Sequence, residues 1–432
     1  MRHTVILLFV IAVLGVQDAQ SKELPLRGNI QQMIDDFNYD QALILLDKAI
    51  PEDPTSTDLF ITKGKVLRSL YDYENAIKNF GKALEIDSTN NQALIEIANI
   101  YKLQEDYPHS IQYYSKALER DTTNTFLKLE CGNCYLLNQQ YPEALKEFSE
   151  VYHKDTLNCY AIKMLAFIYN KVNLPDISKM FYQEAIIINP SDYSSVLGLN
   201  SVLMGQNDFQ AGIKLTEHFR ETINAQNKWI NSANALLYLK NKQHDMAIKR
   251  FNNCLSLNDT TAFNYKHLGI SYYSIDSFDV AKTYLEKAYQ LDPEDVNTMQ
   301  FLGLACSKSF YKELGIYYLE KAVAHYAPTQ ENLAYIYLKL VEVCNAWSLC
   351  PAEKKLAASL KAYQFNSNDP QSALSLAIEY ENVKNYAKAI EFYQIYLDAI
   401  PESVRIDSKK NYKYIAYTKR FNALKVLMNT QK

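Results

Sequence analysis

Two cysteines three residues apart, Cys131 and Cys134, have the spacing of a redox pair. A redox pair of this kind needs its first thiol exposed at a helix N-terminus, where the helix dipole stabilises the thiolate. Cys131 instead falls in the middle of a helical pattern, at a position that faces a partner helix. The pattern therefore favours two buried thiols that act as small apolar side chains.

Other catalytic signatures do not appear in the sequence. It has no glycine-rich phosphate loop, no zinc-protease motif and no nucleophile-elbow serine, and its seven histidines form no pair at metal-ligand spacing. We therefore predict a chain that is not an enzyme, with no catalytic residues, no metal and no cofactor. The alternative is an accessory subunit or enzyme of an envelope complex whose chemistry lies outside recognised motifs.

A small residue recurs every 34 residues along most of the chain. The series is Ala42, Ala76, Ser110, Ala144, Ser178 and Gly212. After a one-residue insertion it continues at Ala247, Ala281 and Gly315, and it returns at Ala389. In the clearest copy, residues 262–295, apolar residues fall at helical spacing on one face of each of two consecutive helices. A fixed period of this length predicts stacked pairs of antiparallel helices.

The segment 262–295 resembles the tetratricopeptide repeat. The residues that carry the resemblance are Tyr265, Leu268, Gly269, Tyr272, Ala281, Leu285 and Pro293. The resemblance implies an all-α fold, an α-solenoid wound as a right-handed superhelix of about eleven helix-turn-helix repeats, covering residues 22–403. It also implies a protein-protein interaction scaffold that binds a peptide or protein segment in its concave groove.

The tenth repeat departs most from the pattern. About nine additional residues follow its first helix, around 344–351, and Lys355 occupies the position of the small residue. Cys344 and Cys350 bracket this insertion, so we predict that they form a disulfide if the chain is exported to an oxidising compartment. Two buried thiols at an irregular helical corner are the alternative.

The first 21 residues have the pattern of a secretory signal peptide. Arg2 and His3 precede twelve apolar residues, Val5 to Val16, and Ala19 and Ser21 provide small residues for cleavage before Lys22. Twelve residues are too few to span a bilayer as a helix. We therefore predict export across the inner membrane and a periplasmic or envelope location; a retained short anchor or a buried cap is the alternative.

Residues 404–432 differ from the rest of the chain in charge. They hold eight Lys or Arg and one acid, a net charge of +7, whereas the remainder carries −11. Tyr414, Tyr417, Phe421, Leu424 and Met428 share one helical face, which predicts a C-terminal capping helix over the last repeat. Docking on an anionic membrane surface or an acidic partner is the functional alternative. The acidic body argues against nucleic-acid binding.

Ligand-binding residues are expected on the first helices of the middle repeats, at positions that point into the groove. Asparagine amides there would hydrogen-bond a bound backbone, and aromatic rings would bury an apolar anchor. The predicted set is Asn99, Lys102, Phe126, Asn133, Tyr160, Lys163, Phe167, Asn170, Trp229, Lys266 and Tyr273. The alternative is that the aromatic residues pack against neighbouring repeats.

Overall fold

The computed structural model describes residues 28–325, 330–346, 350–406 and 411–430, and all regular secondary structure in these ranges is helical. The predicted signal peptide, residues 1–21, lies outside them. None of the described helices combines the length and the apolar character needed to cross a membrane. The chain divides into two compact units, Met1–Val202 and Leu203–Lys432, which are described separately.

The first unit is built of helix pairs in which odd-numbered helices come first and even-numbered helices second. Its helices are α1 (28–35), α2 (Tyr39–Glu52), α3 (Thr57–Ser69), α4 (Tyr73–Ile86), α5 (Asn91–Leu103), α6 (Tyr107–Leu118), α7 (Thr125–Leu137), α8 (Tyr141–Lys154), α9 (Cys159–Lys171), α10 (Pro175–Ile188) and α11 (Tyr193–Gly205), which crosses the unit boundary. From α2 to α10, each helix packs on the next one along the chain, both within a pair and between pairs.

The second unit continues the same alternation. Its helices are α12 (Phe209–Thr222), α13 (Lys228–Lys240), α14 (His244–Ser256), α15 (Ala262–Tyr273), α16 (Phe278–Leu291), α17 (Val296–Lys308), α18 (Lys312–His325), α19 (Gln330–Ala346), α20 (Ala352–Phe365), α21 (Pro370–Asn382), α22 (Tyr386–Ala399), α23 (Glu402–Ile406) and α24 (Tyr412–Thr430). From α12 to α22 consecutive helices pack on one another, and α22 packs on α24, so the predicted all-α fold of stacked helix pairs is confirmed.

Polar caps and tight turns define the ends of these helices. Asn90 begins α5 by accepting a hydrogen bond from the Ala93 amide at 3.0 Å, and Asp72 begins α4 in the same way. Between α3 and α4 the chain reverses through Tyr71, whose φ is 63°, and a similar left-handed residue stands between the two helices of most other pairs. The recurring turn keeps each helix pair antiparallel at a constant repeat length.

Small residues in the first helices allow the two helices of a pair to approach closely. At Gly64 an added Cβ would lie 2.5 Å from the ring of Phe80, and at Gly269 it would lie 2.6 Å from the side chain of Leu285. Phe80 and Leu285 are fully buried by this approach. The glycine in the sequence pattern therefore marks the site where a second-helix side chain fills the core.

The irregular tenth repeat still forms a helix pair. The first helix, α19, packs against α20, with Leu340, Val343 and Ala358 in one buried cluster, while Lys355 stays partly exposed. The small buried residues of α20 are thus Ala358, Ser359 and Ala362, displaced from the position of Lys355. Cys344 and Cys350 lie at the end of α19 and before α20, and their Sγ atoms are 2.11 Å apart.

We expect the bond between Cys344 and Cys350 to form in the mature protein and to contribute about 2 kcal/mol to folding, because it closes a short loop. Mass spectrometry of the non-reduced protein should show the two residues in one cross-linked peptide, and Cys344→Ser should lower the free energy of unfolding. Cys159→Ser, at a partly exposed free thiol, is the control. Free thiols at both positions in the exported protein would contradict the prediction.

The final helix covers the end of the last repeat. Phe421 and Leu424 of α24 are buried in the same cluster as Tyr393 and Tyr396 of α22. Arg420 adds an ion pair to Glu381 at 2.8 Å. The apolar face of α24 is therefore used in packing, while its lysines remain on the outside.

Candidate peptide-binding face

The paired cysteines do not form a reactive site. Cys131 and Cys134 are both buried within α7, and burial raises the pKa of the Cys131 thiol to about 12. The Cys134 thiol lies 3.3 Å from the hydroxyl of Ser110, and burial raises its pKa as well. Thiolates are disfavoured at both positions, so neither residue is a good nucleophile. No three His, Cys, Asp or Glu residues of the described ranges are grouped to hold a metal.

The predicted binding lysines all form ion pairs with acids of the next repeat, either within its first helix or just before that helix begins. Lys102 pairs with Glu130, and Lys266 pairs with Asp295 at 3.0 Å. Lys163 lies 3.2 Å from Asp192. These lysines therefore link successive repeats, which is a structural role that the sequence pattern did not reveal.

The ion pair between Lys163 and Asp192 is stabilised by further hydrogen bonds to the Asp192 carboxylate. Burial acts to raise the pKa of its carboxyl group, but hydrogen bonds from Ser194, Ser195 and Lys163 outweigh that effect and lower the pKa to about 2. The carboxylate thus stays charged and holds Lys163 against the start of α11. A bound ligand would have to compete with this arrangement for the lysine.

Two of the three predicted asparagines, Asn99 and Asn133, each accept a hydrogen bond from a tyrosine hydroxyl. The Tyr114 hydroxyl donates to Asn99 Oδ1 at 2.5 Å, and the Tyr160 hydroxyl donates to Asn133 Oδ1 at 2.7 Å. These bonds orient both side-chain amides. In the part of the chain that the structure describes, neither NH₂ group has an acceptor, so each can donate to a ligand. The sequence offered one signal for the bond made by Tyr114. Its hydroxyl stands at a second-helix position that is buried, and a buried hydroxyl group needs a hydrogen-bond partner.

The three predicted aromatic residues of the first unit have side chains that are exposed to solvent. Phe126 is 57% exposed, Tyr160 is 41% exposed and Phe167 is 36% exposed. Lys171 lies 5.3 Å from the centre of the Phe167 ring. We call the surface formed by Phe126, Asn133, Tyr160 and Phe167, on α7 and α9, the aromatic face.

The other predicted residues are distributed differently. Asn170 is half-buried near the end of α9. In the second unit, Lys228 lies 3.9 Å from the ring centre of Trp229, which is 45% exposed. Tyr273 is half-buried, with its ring edge-to-face against Phe278 at 5.4 Å and Phe301 at 5.7 Å. For Tyr273, packing against a neighbouring repeat is therefore the structural role.

Three segments match the family profile of the tetratricopeptide repeat: residues 57–90, 92–124 and 265–295. They coincide with the pairs α3 and α4, α5 and α6, and α15 and α16, whose packing is described above. This chain is a tetratricopeptide repeat protein. No protein of curated function matches its sequence.

Several solved tetratricopeptide repeat and related structures are similar to this one at low identity. A tetratricopeptide repeat protein from Parabacteroides merdae is 14% identical over 58% of this chain and 98% of its own, with a TM-score of 0.46. The Cut9-Hcn1 hetero-tetramer of the APC/C matches over 91% of this chain and 88% of its own, at 14% identity and a TM-score of 0.45. The human IFIT1 dimer with m7Gppp-AAAA is 14% identical over 79% of this chain and 90% of its own, with a TM-score of 0.43.

The tetratricopeptide repeat fold of this chain is consistent with a protein-interaction scaffold. A stack of helix pairs presents long helical surfaces on which another chain can lie, and each repeat adds area to that surface. In the first unit, the surface that combines exposed rings with available amide donors is the aromatic face.

Proposed function

We propose that this protein is a non-catalytic scaffold of the cell envelope that binds a polypeptide segment along the aromatic face. The proposal rests on the solvent exposure of three aromatic side chains, Phe126, Tyr160 and Phe167, on two consecutive first helices. Exposed rings grouped in this way are typical of binding surfaces, since aromatic side chains supply much of the energy at protein interfaces.

The available amide donor gives this face a way to recognise a backbone. Because Tyr160 fixes the oxygen of Asn133, the NH₂ group of that side chain is held in one orientation. A donor fixed in advance loses little entropy when it binds a carbonyl oxygen of an incoming segment. The rings would then bury apolar side chains of the same segment.

The envelope location rests on the sequence of residues 1–21. A basic start, a short apolar run and small residues before Lys22 are the features that support export. N-terminal sequencing of the protein recovered from the envelope should give a mature chain that begins at Lys22. If the recovered chain still begins at Met1, the segment is not cleaved and acts as an anchor. That result would not contradict the scaffold proposal.

Binding should depend on the aromatic face. With the partner recovered by pull-down from the envelope fraction, Phe167→Ala should weaken binding by about 2 kcal/mol, because it removes a ring from the interface. Asn133→Ala should also weaken binding, since the amide donor is lost. Melting temperatures should stay close to that of the wild-type chain.

The matched control is Met180→Ala on α10, the second helix of the same repeat, where the side chain is 67% exposed. This variant should bind as the wild-type chain does. If Phe167→Ala and Asn133→Ala both bind normally, the binding site lies elsewhere on the protein.

A further inference from the structure

A cleft of about 520 Å³ opens in the second unit between α19 and α21. Leu338, Val341, Leu374 and Ile378 give it an aliphatic lining, and polar side chains from both helices complete it. It is formed by the first helix of the irregular tenth repeat, next to Cys344. The aliphatic lining suits a long side chain that carries a polar head.

A buried carboxylate, Glu379, stands behind this cleft. The side chain is completely buried, and its oxygens accept hydrogen bonds from Asn345 Nδ2 at 2.6 Å and Asn382 Nδ2 at 3.1 Å. Among the described residues no cation lies within ion-pair distance of it. A buried charge that is held only by neutral groups is costly unless a counter-ion is supplied.

The other acids of the cleft already have partners. Glu342 forms ion pairs with Lys308 at 3.0 Å and with Lys339 at 2.6 Å. Asp369 caps α21 by accepting hydrogen bonds from the backbone amides of Gln371 and Ser372. Glu379 is therefore the fully buried carboxylate of this cleft, and within the described structure it has neither a cation nor a helix N-terminus as its partner.

Asn345 connects Glu379 to the opening of the cleft. It is exposed, and its NH₂ group donates to Glu379, so its Oδ1 atom points away from the carboxylate. No described group donates to that oxygen. An amide oxygen polarised in this way by a carboxylate is a good acceptor for a cationic donor.

We propose that the cleft binds an arginine side chain of a partner polypeptide. The guanidinium group donates to Asn345 Oδ1 and supplies the positive charge that Glu379 lacks, while the aliphatic stem lies along the apolar lining. Arginine fits better than lysine, because its planar guanidinium group offers several N–H donors in a fixed arrangement to the polar groups of the cleft. Ser375 also lines the cleft, and its hydroxyl lies 2.8 Å from that of Ser359. Glu379 acts through Asn345 and is a positioning residue.

The inference rests on the proposed function, since it takes the cation to be part of a bound polypeptide. The test uses the full chain and three short alanine-based peptides that differ only in one central residue: arginine, lysine or citrulline. Citrulline has the shape of arginine without its charge. By fluorescence anisotropy, the arginine peptide should bind at least about tenfold more tightly than the citrulline peptide.

Two variants report on the buried charge. Glu379→Gln should reduce the preference for arginine over citrulline to below about threefold, without changing the affinity for the citrulline peptide. Asn345→Lys places a tethered ammonium beside Glu379, so it should abolish arginine binding and raise the melting temperature. Glu391→Gln, at an exposed acid on α22, should behave as the wild-type chain does.

Equal binding of the arginine and citrulline peptides by the wild-type chain would overturn the proposal. So would an unchanged arginine preference in Glu379→Gln or, if that variant does not fold, in Asn345→Lys. None of these titrations needs the natural partner. A failed peptide experiment would therefore contradict the arginine site and say nothing about the aromatic face. Normal partner binding by Phe167→Ala would contradict the aromatic face and say nothing about this cleft.

Discussion

Deletion of residues 404–432 should lower the free energy of unfolding of the second unit by at least about 3 kcal/mol, because two large apolar side chains lose their buried contacts. Phe421 and Leu424 cover Tyr393 and Tyr396 of α22, which are almost completely buried. Without α24, that surface would face water. Urea unfolding should show the loss of stability, and light scattering should show self-association of the shortened chain.

The control for this deletion changes charge and leaves the apolar face intact. Lys413 and Lys419 are exposed on α24, so Lys413→Gln combined with Lys419→Gln should leave stability unchanged. If the shortened chain instead unfolds like the full chain and stays monomeric, α24 is an appendage. Its basic surface would then be the candidate for docking on an anionic membrane or an acidic partner.

Phe148→Ala should destabilise the first unit by about 4 kcal/mol, because it empties a packed site in the core. Phe148 is fully buried on α8, and its ring fills the space beside Gly132, where a Cβ would lie 3.0 Å from the ring. The surrounding helices are fixed by their neighbours and cannot collapse into the cavity. Chemical unfolding followed by circular dichroism measures the loss.

The matched comparison is Phe126→Ala, the same substitution on the adjacent first helix. Because that ring is 57% exposed, its removal should change stability by less than about 0.5 kcal/mol. Similar losses in the two variants would show that Phe126 supports the core and would remove it from the aromatic face.

The periodic part of the fold could be predicted from the sequence because each repeat has the residues that determine its own helix ends and helix packing. The small residue at Ala76 and the glycine at Gly64 mark where two helices approach, and Asp72 marks where the second helix begins. These are local signals that recur at a fixed distance. The tenth repeat lacks them at Lys355, so its pairing of α19 with α20 became clear only from the buried positions of Ala358 and Ala362.

The candidate site was less predictable, since position within a repeat does not reveal whether a side chain is already satisfied. Lys102, Lys163 and Lys266 occupy groove positions, yet each forms an ion pair with an acid of the next repeat, 28 or 29 residues further along the chain. The burial of Glu379 could not be predicted for the same reason, because a glutamate on a repeat helix is usually solvated. Its carboxylate is buried and accepts a hydrogen bond from Asn345 of the irregular α19.

Site-specific photo-crosslinking tests the central claim most directly. A photoreactive phenylalanine placed at Phe126 should capture the partner in the envelope fraction, and the same group at Met180, on the second helix α10, should not. The captured partner should be joined through an apolar segment, as mass spectrometry of the cross-linked peptide would show. Capture at Met180 with none at Phe126 would contradict binding at the aromatic face.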